Sequence, residues 1–269
     1  MKHSIATIIS YCTNDYKFLK PCIKQVSQFS QQIIIPYCDH FYDNTPENPA
    51  LIKKGIKENP QAQFISFPYD PYRTITIWRG WAWLFAKLGL GDCFGPRYWV
   101  VFSKLVGAYQ VNKNINYVLF LDIDEIIDAK KFKAWLNTKA YQKFNAMKFA
   151  NYCYFRNPKY QSTTYENSAV MIKRTLMDPK TIVTNDARNA TYRGAPGRKK
   201  RMILGLDNQP MIHHYGWAKP KKNLLKKVKT WGHSKDRNWK KLIEKEFSRP
   251  FTGTDFIYQR QYKTVKPFI

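Results

Sequence analysis

Acidic residues are scarce in this 269-residue sequence: 19 Asp and Glu stand against 45 Lys and Arg, giving a formal charge of +26. That imbalance argues for anionic partners, whether nucleic acid, a phosphorylated ligand or an acidic membrane surface. Cysteine is nearly as sparse. The five (Cys12, Cys22, Cys38, Cys93, Cys153) are odd in number and form no CxxC pair, which reads as reduced thiols of a cytoplasmic protein rather than a disulfide or zinc framework. Long apolar runs are missing too. Ile5 to Ile9 is too short for a signal-peptide core, and the greasiest stretch, residues 75–90, is broken by Arg79 and Lys87, so no membrane span is expected. There is no internal repeat, no low-complexity linker and no recognisable nucleic-acid module.

What is present is core material. Hydrophobic residues make up 44% and aromatics 16%, enough for one α/β domain of this length. Ile5 to Ser10, Ile33 to Ile35 and Gln63 to Phe67 are short β-branched or apolar runs, separated by helical spacing at Leu19, Ile23 and Val26 and by a second helix over 51–58. Strand, helix, strand, helix, strand predicts a Rossmann-like, mostly parallel sheet flanked by helices. Tyr117 to Leu121 is the clearest strand, followed by a helix over 129–141, strands at 146–150, 168–172 and 211–215, and a basic loop over 184–205. Residues 193–245 hold 16 Lys and Arg against 3 Asp and Glu. Within them Leu224, Val228 and Trp231 mark one side of a basic helix, whose lysines 221, 222, 226, 227 and 229 read as solvated or as a weak peripheral membrane contact.

The strand at 117–121 runs directly into Asp122-Ile123-Asp124-Glu125. Ligands bind at the carboxyl ends of strands in open α/β sheets, and two carboxylates one residue apart suit Mg²⁺ or Mn²⁺ together with diphosphate oxygens. Asp-x-Asp is a weak signal alone; here it caps the most apolar strand of an acid-poor chain, which favours function over a solvated turn. His213 and His214 close the last strand before Gly216. Neighbours on a strand point to opposite faces, so at most one of the two reaches a metal or phosphate. Trp78, Trp81, Trp83, Tyr98 and Trp99 crowd one stretch and read mainly as core; Tyr152, Tyr154, Phe155 and Arg156 are better placed to line a cleft.

The strand-to-Tyr11 turn, Tyr37-Cys38-Asp39, the Asp122 to Glu125 segment and His214-Tyr215-Gly216-Trp217-Ala218-Lys219-Pro220 together resemble GT-A glycosyltransferases, in particular family 2, over residues 4 to 230. The resemblance implies a single GT-A domain: a nucleotide-sugar-binding half (1–128), an acceptor and catalytic half (129–220) and a basic helical C-terminal extension (221–269). It implies inverting transfer from a nucleoside-diphosphate sugar, with Mn²⁺ or Mg²⁺, to a carbohydrate or glycoprotein acceptor, and no specific nucleic acid. Asp39 would contact the base, Asp122 the ribose or metal, and Asp124 the metal, completed by His214 or His213. Lys104 would reach the nucleotide and Lys219 the diphosphate, while Tyr11 and Ile123 would line the pocket. The base is expected from an acid opening a helix; Glu166 is the nearest match, although Asn167 stands where a second acid belongs, and Asp186 is the reserve. A metal-dependent nuclease using the same carboxylates and basic surface is the competing reading.

Overall fold

A computed structural model describes residues 3–69, 96–182, 187–230 and 237–269. Trp78, Trp81, Trp83, Asp186, Trp231 and Cys93 lie outside the described residues. Ten strands form one sheet: β1 (His3–Ser10), β2 (Ser30–Tyr37), β3 (Gln63–Ser66), β4 (Tyr117–Asp122), β5 (Glu125–Ile127), β6 (Ala146–Phe155), β7 (Asn157–Lys173), β8 (Lys199–Ile203), β9 (Ile212–Trp217) and β10 (Tyr262–Thr264). Their order is β3-β2-β1-β4-β7-β6-β9-β5, with β10 beside β7 and β8 beside β6. The helices are α1 (Tyr16–Val26), α2 (Pro49–Glu58), α3 (Pro96–Tyr109), α4 (Ala129–Asn137), α5 (Pro179–Ile182), α6 (Ala187–Gly194), α7 (Lys221–Thr230) and α8 (Trp239–Phe247). None of the described helices is long and apolar enough to cross a membrane.

The sheet is a mixed α/β sheet with two characters. β3, β2, β1 and β4 are parallel; β2, β1 and β4 are buried on both faces over most of their length, which explains their near-continuous apolar sequence, while β3 is a partly exposed edge. Ile5, Ile9, Leu119 and Leu121 face α1 and α4 through Phe18, Ile23 and Phe132. Ala6, Ile8, Val118 and Phe120 face the opposite layer, where Leu105 and Ala108 of α3 pack. Gly107 allows that helix its close approach, since a Cβ there would lie 2.6 Å from Ile8 Cγ2. Beyond β4 the sheet is mixed: β7 runs antiparallel to β4 and β6, and β5 to β9, whereas β8 and β9 pair parallel with β6. β6 and β7 form a long hairpin, reversed at Arg156 with a φ of 56°, and Arg156 ties the turn to α8 through Glu246 at 2.8 Å.

Three readings of the sequence are corrected. Residues 184–205 are not one loop, because they hold α6 and β8, the latter pairing with the edge of β6. The strand at 168–172 is the end of a 17-residue strand; its polar first half conceals it, since that half is paired on both sides yet only partly buried. Glu166 accordingly lies within β7 and opens no helix.

Candidate active site

Register builds the site. β1 and β4 run side by side with Ser10 opposite Asp122, and the Ile123 amide donates to the Ser10 carbonyl at 3.0 Å. The chain then turns into β5, which pairs antiparallel with β9 so that Glu125 lies opposite His214, and the Tyr215 amide donates to the Asp124 carbonyl at 2.8 Å. Asp124 is thereby brought to His214, with Oδ1 and Nε2 3.6 Å apart. On the next strands, Cys153 of β6 is the register partner of His214, and Glu166 of β7 places Oε2 3.8 Å from His214 Nδ1. Gly216, two residues after His214 on the same face, leaves room for the imidazole: a Cβ there would meet Nε2 at 2.7 Å.

Each carboxylate has basic partners. Arg188 of α6 grips Glu125 at 2.9 and 2.7 Å and Asp122 at 2.9 Å, while Lys104 of α3 stands 3.8 Å from Asp122 and donates to Ser10 Oγ at 3.0 Å. Glu125 is fully buried and also accepts from the Asp122 amide at 2.9 Å. Lys227 of α7 donates to Asp124 Oδ2 at 3.0 Å. Lys219 approaches the same oxygen at 3.5 Å and forms an ion pair with Asp15. Burial opposes ionisation of Asp124, but Lys227, Lys219 and His214 hold its carboxyl well below the usual range. Burial alone would lower His214; contacts with Cys153 and Glu166 and the charges of Asp124 and Glu125 push it well up instead. Glu166 would be raised by burial, yet His214 and Arg260 bring it down to about 2. Arg260 forms an ion pair with its other oxygen, Oε1.

Arg260 arrives on a strap at residues 253–262 that is organised by the buried Asp255. This carboxylate accepts from the amides of Ile257 at 2.7 Å, Tyr258 at 2.6 Å and Arg260 at 3.2 Å, and from the Tyr262 hydroxyl at 3.0 Å. Together these elements surround a cleft of about 550 Å³. Tyr11, Asp122, Ile123, Asp124, Glu166 and His214 line it, with Tyr154, Phe155, Trp217, Trp239 and Tyr258 as aromatic walls.

The other sequence candidates do not themselves line the cleft. Asp39 has a side chain 73% exposed and paired with His40 at 2.9 Å, and it is not among the lining residues. Lys219, 1% exposed, supports Asp124 from behind. His213 points away: its Nδ1 bonds the Tyr154 hydroxyl at 2.6 Å, its ring stacks on Phe268 at 4.2 Å, and burial drops its pKa to about 3. Sequence reasoning missed Arg188, Lys227, Cys153, Glu125 and Arg260. Lys227 corrects the reading of its helix as solvated, because it flanks the buried Leu224 and Val228 and turns inward onto Asp124. Glu125, adjoining Asp-x-Asp, carried a visible signal; Arg188, inside an apparent loop, carried none.

A carboxylate and an imidazole are donor types that divalent cations accept. Ligands about 2.1 Å from one octahedral ion lie about 3.0 Å apart, so Asp124 Oδ1 and His214 Nε2, at 3.6 Å, need close by only about 0.6 Å. Both residues line the cleft.

No protein-family model matches the sequence, and no curated protein matches it. Among solved structures, the chain is similar to 4-diphosphocytidyl-2C-methyl-D-erythritol synthase from Anaerococcus prevotii, with 13% identity, a TM-score of 0.44, and coverage of 78% of this chain and 92% of that one. It is also similar to residues 1–349 of TarS from S. aureus, with 10% identity, a TM-score of 0.45, and coverage of 80% of this chain and 60% of that one.

Proposed function

We propose that this protein is a metal-dependent, inverting glycosyltransferase of the GT-A type, moving a sugar from a nucleoside-diphosphate sugar to a hydroxyl of a glycan or glycoprotein. The observation that carries the reading is the Asp124–His214 pair at 3.6 Å on the wall of a cleft at the carboxyl end of β4. Asp124 and His214 would hold Mn²⁺ or Mg²⁺, with Asp122 beside them; such an ion offsets negative charge on a departing diphosphate. Lys227, already on Asp124, adds a fixed positive charge at the same place. Lys104 and Arg188 hold Asp122 ionised and oriented. Tyr11 and Ile123, which line the cleft, would meet the nucleotide, and among the described residues the buried Tyr11 hydroxyl has no hydrogen-bond partner.

Glu166 is the proposed base. It takes the proton of the acceptor hydroxyl as that oxygen bonds to the anomeric carbon and the bond from that carbon to the phosphate oxygen breaks, inverting the centre. While Arg260 and His214 hold it near 2, Glu166 is a weak base, and an acceptor hydroxyl that displaces Arg260 makes it stronger. Tyr154, Phe155, Trp217 and Tyr258 offer ring faces against which a sugar stacks. The test separates binding from turnover. Glu166→Gln should keep Mn²⁺-dependent binding of UDP, GDP or dTDP by calorimetry and lose transfer by at least ~100-fold; full transfer by this variant would remove Glu166 from the role.

A further inference from the structure

Cys153, Glu166 and His214 each offer a ligand atom within 4.8 Å of the other two. They form a row across β7, β6 and β9, three neighbouring strands, and all three line the cleft. The Cys153 thiol also receives a contact from the Asn151 amide nitrogen at 3.5 Å, a donor that suits a sulfur carrying negative charge. Glu166 divides its oxygens: Oε1 belongs to Arg260, and Oε2 faces His214. One carboxylate oxygen is therefore directed into the row without breaking the arginine pair.

We propose that Cys153, Glu166 and His214 form a second, thiophilic metal site that takes Zn²⁺, with Cd²⁺ or Co²⁺ as substitutes, and that it competes with the hard-cation site for a single imidazole. Thiolate, imidazole and carboxylate are a borderline-soft donor set that selects such ions over Mg²⁺. Three protein ligands and one position open to the cleft follow the arrangement of solvent-accessible zinc sites. A tetrahedral zinc draws its ligands to about 3.5 Å from one another, and the His214–Glu166 gap of 3.8 Å is already near that. Binding sends two protons to solvent, the Cys153 thiol proton and the second proton of the His214 ring. The thiolate and the Glu166 carboxylate then balance the charge of the ion.

Competition follows from the ring. His214 Nδ1 faces Glu166 and Nε2 faces Asp124. A neutral imidazole has one lone pair, on one nitrogen, and a proton on the other. An ion on Nδ1 fixes the proton on Nε2, toward Asp124, and removes that nitrogen as a ligand; an ion on Nε2 does the reverse. The coordination stands apart from the transferase reading, whereas the inhibition it implies rests on that reading.

The experiment titrates the whole protein with Co²⁺ and records the sulfur-to-cobalt charge-transfer absorption. A saturable one-to-one band is expected in the wild type, lost in Cys153→Ser and in Cys153→Ala, and retained in Cys12→Ser, whose thiol also lines the cleft; circular dichroism checks that each variant is folded. In a second arm Mn²⁺ binding is read by electron paramagnetic resonance. One equivalent of Zn²⁺ should weaken it at least tenfold in the wild type and less than twofold in Cys153→Ala. No band in the wild type, or a band that survives both Cys153 substitutions, overturns the site; undiminished Mn²⁺ binding beside bound Zn²⁺ overturns the competition. If Mn²⁺ does not bind at all while the cobalt band behaves as expected, the thiophilic site stands and the hard-cation reading fails.

Discussion

Gly216→Ala isolates the geometry on which the proposed cation site depends. The added Cβ would stand 2.7 Å from His214 Nε2, where ordinary contact begins at 3.4 Å, so the imidazole must withdraw by about 0.7 Å (3.4 − 2.7). Withdrawal is not free, because the ring is bounded by Asp124, Glu166 and Cys153. Metal–ligand distances tolerate only about ±0.2 Å, and disturbing the groups that orient a ligand costs about 10–100-fold in metal affinity. Gly216 lies in a regular strand without a positive φ, so the backbone accepts alanine and the effect should remain local. Calorimetry or paramagnetic resonance should therefore find Mn²⁺ affinity reduced by about 10–100-fold, with thermal unfolding lowered only slightly. Mn²⁺ affinity within twofold of wild type would refute the reasoning, because Nε2 would then not be a ligand.

Arg188→Ala leaves Glu125, which is fully buried, and Asp122 without their main counter-charge; breaking such a pair costs about 3–5 kcal/mol, readable by urea unfolding, and Glu125→Gln in the same chain should restore part of it. Gly107→Ala drives a Cβ against Ile8 and Pro36 and should destabilise by about 1–3 kcal/mol without altering nucleotide binding. Glu47, 7% exposed and bonded through one oxygen to the Thr13 amide and hydroxyl, is pushed by burial from 4.5 to about 7. Its folded form binds a proton more tightly than its unfolded form, so stability falls as pH rises between 4.5 and 7, by about 3 kcal/mol for a shift of this size. Glu47→Gln should flatten that part of the profile and be more stable than wild type at pH 8; parallel profiles would contradict the assignment.

The parallel half of the fold was legible because β1, β2 and β4 are buried on both faces over most of their length, and their apolar runs stand out between helical spacings. The long hairpin was legible only where it enters the core: Ala146 to Ala150 and Ser168 to Ile172 are largely apolar, whereas residues 157–166 are polar and only partly buried, held by pairing with β6 and β10. Asp122, Asp124 and His214 could be singled out because chemistry-bearing residues ended strong strands. Two of their basic partners, Arg188 and Lys227, could not. Arg188 and Lys227 come from α6 and α7, distant in sequence, and in a chain with 45 Lys and Arg no local pattern distinguishes an inward cation from a solvated one. Cys153 was hidden for a related reason: Glu166 and His214 are 13 and 61 residues away in sequence and meet it only through strand order.

The most direct measurement is calorimetry of nucleoside diphosphates (UDP, GDP and dTDP in turn) with and without Mn²⁺, on the wild type and on Asp124→Asn. The account predicts that at least one of them binds with Mn²⁺, that removing the ion weakens binding at least tenfold, and that Asp124→Asn abolishes the dependence on the ion. No binding by any of the three, or equal binding with and without Mn²⁺ in both proteins, would contradict it.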